Sequence, residues 1–273
     1  MTAADLPPLD GDLAMALAIA DEVDAFTLPR FAAQDFSVDW KQNRTEVTEI
    51  DRDAESMIAS AIRKERPDHS VFGEEHGLVG DPDAPWKWVL DPIDGTSGFV
   101  RGVPIWATLI ALTHEDHDNN RRAVLGVVSA PALGRRWFGG LDVGAQLTAM
   151  GTTREISVSS VNELTDAQVS VTHNSGWDRL GRSAALVEFQ NCARRSRGIG
   201  DFWQHMMVAE GTIDVAIDAV GVAPYDIAAL LPIVEAAGGR LTDRHGVATH
   251  EHDTAVSSNG HLHDAALAVV AAD

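Results

Sequence analysis

The sequence predicts a layered α/β protein in which helices and strands alternate along a chain of 273 residues. Three observations carry that expectation. Apolar residues recur at helical spacing in several segments, some closed by proline or glycine. Short runs rich in Val, Ile and Trp lie between those segments and read as strands. One such run, Trp88-Val-Leu, feeds straight into Asp91-Pro-Ile-Asp94-Gly-Thr96, so at least one strand ends on chemically active side chains.

Taken in order, residues 12–30 read as an amphipathic helix, with Leu13, Leu17, Ala20, Val23 and Ala25 near helical spacing and Pro29 closing it. Residues 51–64 form a second helix through Ala54, Met57, Ile58, Ala61 and Ile62, with Pro67 beyond its end. Ser70-Val71-Phe72 is a short strand running into Gly73-Glu74-Glu75. Residues 86–90 are the next strand, and residues 105–113 and 122–130 pair as a hairpin across a polar loop. Pro131 and the glycine-rich stretch 139–144 punctuate the chain and divide it into halves, 1–145 and 146–273. The second half carries strands at 169–172 and 215–217 and helices at 182–193, 202–210, 227–237 and 262–272.

The net charge of −20 argues against a nucleic-acid binder, which needs a basic stripe. No apolar run approaches the ~20 residues that span a bilayer, and the acidic start lacks the pattern of a secretory signal, so no membrane role is expected. The single cysteine, Cys192, leaves no internal disulfide and no Cys-based zinc cluster; it reads as a small buried apolar residue in a reducing cytoplasm. His245, His250, His252, His261 and His263 lack the i, i+4 pairing of a zinc-binding helix and read as a solvated loop cluster. Gly-x-Ser-x-Gly, P-loop and dinucleotide fingerprints are absent from the sequence.

The chemistry concentrates in three acidic stretches. In Asp91-Pro-Ile-Asp94-Gly-Thr96 a strand delivers two carboxylates into a tight turn shaped by Pro92. Together with the Ile93 carbonyl they offer hard oxygen ligands suited to Mg²⁺ or Mn²⁺. Gly95 permits close backbone approach, and Thr96-Ser97 opens a short helix whose free amides suit an anion. Gly73-Glu74-Glu75 is a second acidic cluster at a strand end. Asp226 follows Pro224-Tyr225 where a helix N-cap would stand. Carboxylates that gather cations make an acidic chain able to receive a phosphate ester.

These segments resemble the inositol monophosphatase superfamily. The matches are Lys41…Val47-Thr48…Asp51, Gly73-Glu74-Glu75, Asp91-Pro-Ile-Asp94-Gly-Thr96, and Tyr225-Asp226 with Glu235-Ala-Ala-Gly-Gly239, in the family's order over nearly the whole chain. The resemblance implies a five-layer αβαβα sandwich, commonly a homodimer, that hydrolyses a small phosphate monoester with Mg²⁺. Two or three ions per site are implied, with Mn²⁺ able to substitute. Carried over by position, Glu74, Asp91 and the Ile93 carbonyl would hold a first metal. Asp91, Asp94 and Asp226 would hold a second, and Glu74 would also face a third. Thr96, hydrogen-bonded to Asp51, would orient and deprotonate the attacking water, while Gly95, Thr96 and Ser97 would hold the phosphate. Paired metals lower the pKa of water and neutralise the leaving oxygen, so no Cys or Ser nucleophile is required.

Within the superfamily, Arg197-Gly-Ile-Gly-Asp201-Phe202-Trp203, Arg101-Gly-Val-Pro-Ile-Trp106-Ala and Ser129-Ala-Pro-Ala-Leu-Gly-Arg-Arg-Trp137 are similar to the histidinol-phosphate phosphatases. That substrate carries an ammonium and an imidazole. Asp201 would pair with the cationic end, with aromatics flanking the ring, and Asp218 and Arg197 complete the expected substrate contacts. Asp218 is one methylene shorter than the Glu usual in the family. Ser97-Gly98, Tyr225 and Thr45-Glu46 also depart from its pattern. An inositol 1-phosphate or small sugar or polyol phosphatase is the alternative within catalysis; a catalytically silent metal-binding scaffold is the alternative outside it.

Overall fold

The computed structural model describes residues 6–41 and 45–271. The chain opens with α1 (Asp10–Ala33), a hairpin of β1 (Val38–Trp40) and β2 (Glu46–Thr48), and α2 (Glu49–Glu65). It continues through β3 (Ser70–Gly73), β4 (Gly77–Val79), β5 (Trp86–Asp94) and the short α3 (Thr96–Val100). Next come β6 (Ala107–Glu115), β7 (Arg121–Ala130), β8 (Arg135–Gly140), β9 (Gly144–Ala149) and β10 (Thr152–Glu155). Then follow β11 (Gln168–Thr172), α4 (Gly176–Arg179), α5 (Ser183–Cys192), β12 (Arg195–Arg197), α6 (Asp201–Ala209) and β13 (Val215–Asp218). The chain closes with α7 (Pro224–Ile227), α8 (Leu230–Ala236), β14 (Arg240–Thr242), β15 (Ala255–Ser258) and α9 (His263–Val270).

An eight-stranded sheet runs β10-β9-β8-β7-β6-β5-β3-β4, and a five-stranded sheet runs β12-β11-β13-β15-β14. The first is antiparallel except where β3 meets β5. In the second, β11 pairs parallel with both β12 and β13, whereas β13, β15 and β14 alternate in direction. Strand side chains alternate between two apolar environments. Trp88, Leu90, Ile110 and Leu112 pack with α1 and α2, while Val89, Leu109 and Ala111 pack with α6 and α8. A sheet covered on both faces needs such continuous apolar runs. The second sheet presents one face to α6 and packs the other against α5 and α9. The layers are therefore α, β, α, β, α, the five-layer sandwich anticipated from the sequence.

Several local readings need correction. Pro29 does not end α1, which runs on to Ala33. One missing amide donor is outweighed because the buried stripe continues through Thr27, and Phe31 packs on Phe99 and Trp106. The segment read as one helix over 227–237 is two, α7 and α8. Pro232 cannot donate to the Ala228 carbonyl and its ring crowds that oxygen, so the helix breaks there. The glycine-rich stretch 139–144 turns β8 into β9 within one sheet, which extends to Glu155. Gly126 lies under the Ala229 carbonyl, so closely that a Cβ would collide with it. The end of the helix read to residue 272 lies outside the described residues.

Cys192 is exposed at the end of α5, not buried. Of the five histidines read as a solvated cluster, His245, His252 and His261 are exposed, but two are not. His250 is 3% exposed and His263 is fully buried, its ring nitrogens bonded to Ser258 and Thr242. Burial pushes both imidazoles down to about 4. No helix of the described residues is long and apolar enough to cross a membrane.

Candidate active site

The centre of the site is an irregularity in β5. Asp91 pairs with Leu109 and Asp94 with Ala107, so β5 uses one residue more than β6 over this step. On a regular strand, side chains three positions apart face opposite sides. The extra residue of a β-bulge cancels that alternation and turns both carboxylates toward one point. The tight turn expected here is thus a bulged strand end. Its shape is secured by Thr108, whose hydroxyl donates to the Pro92 carbonyl at 2.9 Å, and by the Ile93 amide, which donates to Asp91 Oδ1 at 2.9 Å.

Asp226 approaches from the opposite layer. It is the third residue of α7 and accepts the Ala223 amide at 2.7 Å, so it stands inside the first turn, not at the N-cap. Ligand oxygens of Asp91, Asp94 and Asp226 all lie within 4.8 Å of one another. Glu74 follows β3 and carries a different partner: Lys41 Nζ donates to Glu74 Oε1 at 2.7 Å and to Glu75 Oε1 at 2.6 Å.

Beside this cluster, Thr96 Oγ1 lies 3.2 Å from Asp51 Oδ1 and 3.0 Å from the Ile93 carbonyl oxygen. Asp51 is buried at the start of α2, where its Oδ2 accepts the Thr48 amide and hydroxyl. Gly95 has φ +87°, and a Cβ there would lie 2.9 Å from the Ile105 carbonyl oxygen. Only glycine fits that combination of left-handed backbone and close approach. Ser97 is exposed and its carbonyl accepts Arg101 Nη1 at 2.9 Å.

The electrostatics are those of crowded carboxylates. Burial, then Glu74 and Asp94, pushes Asp91 well above the usual carboxylate range; burial, then Asp201 and Asp226, does the same to Asp94. Burial raises Glu74 to about 7 despite Lys41, and raises Asp226 to about 6. Asp51 is also raised, again chiefly by burial. Hard oxygen donors that repel one another in a buried space match what a divalent cation such as Mg²⁺ requires of its ligands.

A cavity of about 170 Å³ opens next to the cluster, lined by Asp94, Asp201, Phe202, His205, Asp218 and Asp226 among others. Asp201 opens α6, and its carboxyl is pushed up to about 6 by burial and by Asp218. The Phe202 amide donates to Asp94 Oδ2 at 2.8 Å and so ties α6 to the bulge. Of the two aromatics expected around a substrate ring, Phe202 alone lines the cavity; Trp203 packs against the core. Arg197 is exposed on edge strand β12, bonds the Ser196 carbonyl and does not line the cavity.

Three contributors escaped sequence reasoning. Glu55 is 2% exposed and accepts the Glu75 and His76 amides at 2.8 Å each, fixing the acidic loop. Its signal was present: it stands four residues after Asp51 on the same helix, as an acid among buried positions. Gln204 and His205 on α6 both bond Asp218. Their i and i+1 placement carried no pattern that sequence alone could use.

A model of the inositol monophosphatase family matches residues 10–272. A histidinol-phosphatase of Streptomyces coelicolor is 42% identical over 263 residues, covering 96% of this chain and 97% of its own. One of Mycobacterium tuberculosis is 43% identical over 261 residues, covering 94% and 96%. Among solved structures, an IMPase of Thermotoga maritima superposes with a TM-score of 0.82 at 29% identity, covering 95% of this chain and 96% of that one.

Proposed function

The chain belongs to the inositol monophosphatase family and is a phosphoric monoester hydrolase; from that premise we propose that it converts L-histidinol phosphate to L-histidinol and inorganic phosphate with Mg²⁺. The observation that carries the reading is the meeting of two unlike carboxylate sets. Asp91, Asp94 and Asp226 converge within 4.8 Å, and the adjoining cavity adds Asp201 and Asp218. The first set suits divalent cations and the second suits the ammonium of an amino alcohol. The relatives at 42% and 43% identity act as histidinol-phosphatases, which supports the same substrate.

On this reading Glu74, Asp91, Asp94, Asp226 and the Ile93 carbonyl hold the cations, two or three in number. Bound Mg²⁺ supplies charge neutralisation for the ester and acidity for the attacking water. Thr96 Oγ1 takes a proton from that water and passes its own to Asp51 Oδ1, 3.2 Å away. The raised pKa of Asp51 makes it a better acceptor than an exposed aspartate. Backbone amides at Gly95, Thr96 and Ser97 hold the phosphate oxygens as the oxygen of water replaces the alcohol oxygen on phosphorus. The alcohol oxygen leaves with a proton taken from solvent water, and Asp51 returns its proton to solvent. The residues 1–145 would then supply most cation ligands, and 146–273 Asp226 and the substrate cavity. The working form on this reading is a cytoplasmic homodimer.

Phosphate release from L-histidinol phosphate and from myo-inositol 1-phosphate tests the proposal, each with Mg²⁺ and with EDTA. Faster, Mg²⁺-dependent turnover of the amino ester is expected. Equal or faster turnover of the inositol ester would overturn the substrate assignment.

A further inference from the structure

Among the described residues, the cavity beside the cation ligands is lined by four aspartates and by no lysine or arginine. Asp94 and Asp226 belong to the cation set; Asp201 and Asp218 do not. Among the described residues Asp218 pairs with no lysine or arginine, and its basic neighbour is the imidazole of His205. It lies at the end of β13 with 7% exposure. Both of its hydrogen bonds fall on one oxygen: Gln204 Nε2 donates to Oδ2 at 2.7 Å and His205 Nε2 reaches the same atom at 2.8 Å. Oδ1 is thereby left as the oxygen available to a ligand.

The two donors are themselves held. His205 is 1% exposed and its Nδ1 faces the Ser257 hydroxyl. Because an ionised carboxylate only accepts, the Nε2 proton of His205 is the one directed at Asp218. Gln204 Nε2 also donates to Thr172 Oγ1 at 3.0 Å, and its Oε1 accepts the Ser170 hydroxyl at 2.8 Å. Ser170 in turn accepts the Ile199 amide at 3.1 Å, joining the network to the segment that leads into Asp201. An imidazole and a primary amide orient a carboxylate through directed N–H bonds, and neither carries the permanent charge of an Arg or Lys partner. A buried carboxylate left in that state gains most from a ligand that brings the missing positive charge.

We propose that His205 and Gln204 are positioning residues which fix Asp218 as a one-oxygen anchor for a ligand ammonium. They make the enzyme select phosphate monoesters of amino alcohols over otherwise identical esters without the amine. This inference rests on the hydrolase reading above and names the group that sets its specificity.

The test compares L-histidinol phosphate with 3-(imidazol-4-yl)propyl phosphate, which keeps the ring and phosphate but lacks the amine. Steady-state kcat and KM are measured in Mg²⁺ for the wild type and for His205→Leu, His205→Gln, Gln204→Leu and Asp218→Asn. The wild type should favour the amino ester at least tenfold in kcat/KM. His205→Leu should lower that preference about tenfold, mainly through KM for the amino ester, and His205→Gln should restore most of it. Adding His205→Leu to Asp218→Asn should change the preference no further. Equal fractional losses on both esters, or an unchanged preference, would overturn the proposal. Should His205→Leu fail to fold, Gln204→Leu and Asp218→Asn carry the same comparison. A wild type that releases phosphate from neither ester removes the hydrolase reading itself. Turnover of both without an amine preference removes only this inference.

Discussion

Replacing Asp94 with Asn should move stability and activity in opposite directions. Its carboxylate shares a space of 4.8 Å with those of Asp91 and Asp226, and its Oδ2 accepts the Phe202 amide. An amide oxygen preserves that hydrogen bond and the tie to α6. Two full charges about 4.8 Å apart repel by roughly 3.5 kcal/mol at an effective dielectric of about 20. Partial protonation already relieves much of this, as the raised pKa values of Asp91 and Asp94 indicate. The expected net gain for the metal-free variant is therefore about 1 kcal/mol, or ~2–4 °C in Tm. Activity should fall at least ~10³-fold in kcat/KM, about 4 kcal/mol of transition-state stabilisation. Thermal unfolding in EDTA and phosphate release in Mg²⁺ read the two effects. A variant that melts below the wild type in EDTA while keeping more than a tenth of its activity would refute the reasoning. A silent scaffold would show no activity to lose.

Because Glu74 and Asp226 titrate near 7 and 6 in the folded chain, above their unfolded values, their protonation stabilises the metal-free fold, and that contribution is lost as pH rises through them. Protons and Mg²⁺ compete for the same oxygens, so the Tm increment from Mg²⁺ should be larger at pH 8 than at pH 6; the contributions of His250 and His263 cancel in that difference. An increment independent of pH would contradict this account. Gly126→Ala places a methyl against the Ala229 carbonyl and should cost roughly 3 kcal/mol by overpacking, measured as a lower denaturant midpoint. Glu55→Ala frees the Glu75 and His76 amides; Mg²⁺ titration of activity should shift to about tenfold higher concentration, with an unshifted curve as the contrary result. Gly95→Ala should lower kcat at least tenfold with a smaller change in Tm, because its Cβ meets the Ile105 carbonyl at the phosphate end of the site.

The layered fold was legible because most buried strands have apolar runs and most helices have amphipathic stripes. Edge strands were not. β1, β4, β10 and β12 are only three or four residues long and largely exposed. Their backbone pairing, not their side chains, defines them. The carboxylates at Asp91 and Asp94 were readable as a cluster, but their convergence depends on the bulge, which pairing with β6 reveals and spacing does not. Asp226 and Asp51 were found through the family's motif order; each alone reads as a helix-start acid, and each does accept an amide there. Arg197 was legible only through its motif; on edge strand β12 its guanidinium bonds the Ser196 carbonyl, apart from the cavity that Asp201 and Phe202 line.

The additional residue in β5 has an evolutionary consequence. Register in a sheet is counted in whole residues, so excising Pro92 or Ile93 would straighten the strand at a single step, leaving Asp91 and Asp94 two positions apart, side by side on one face about 7 Å from each other and no longer convergent. Surface loops elsewhere in this chain can lengthen or shorten by degrees, but this segment admits no intermediate. A change of substrate can instead be built into the opposite wall, around α6 and β13, where Asp201, His205 and Asp218 line the cavity, without altering the length of the stretch from Trp86 to Thr96.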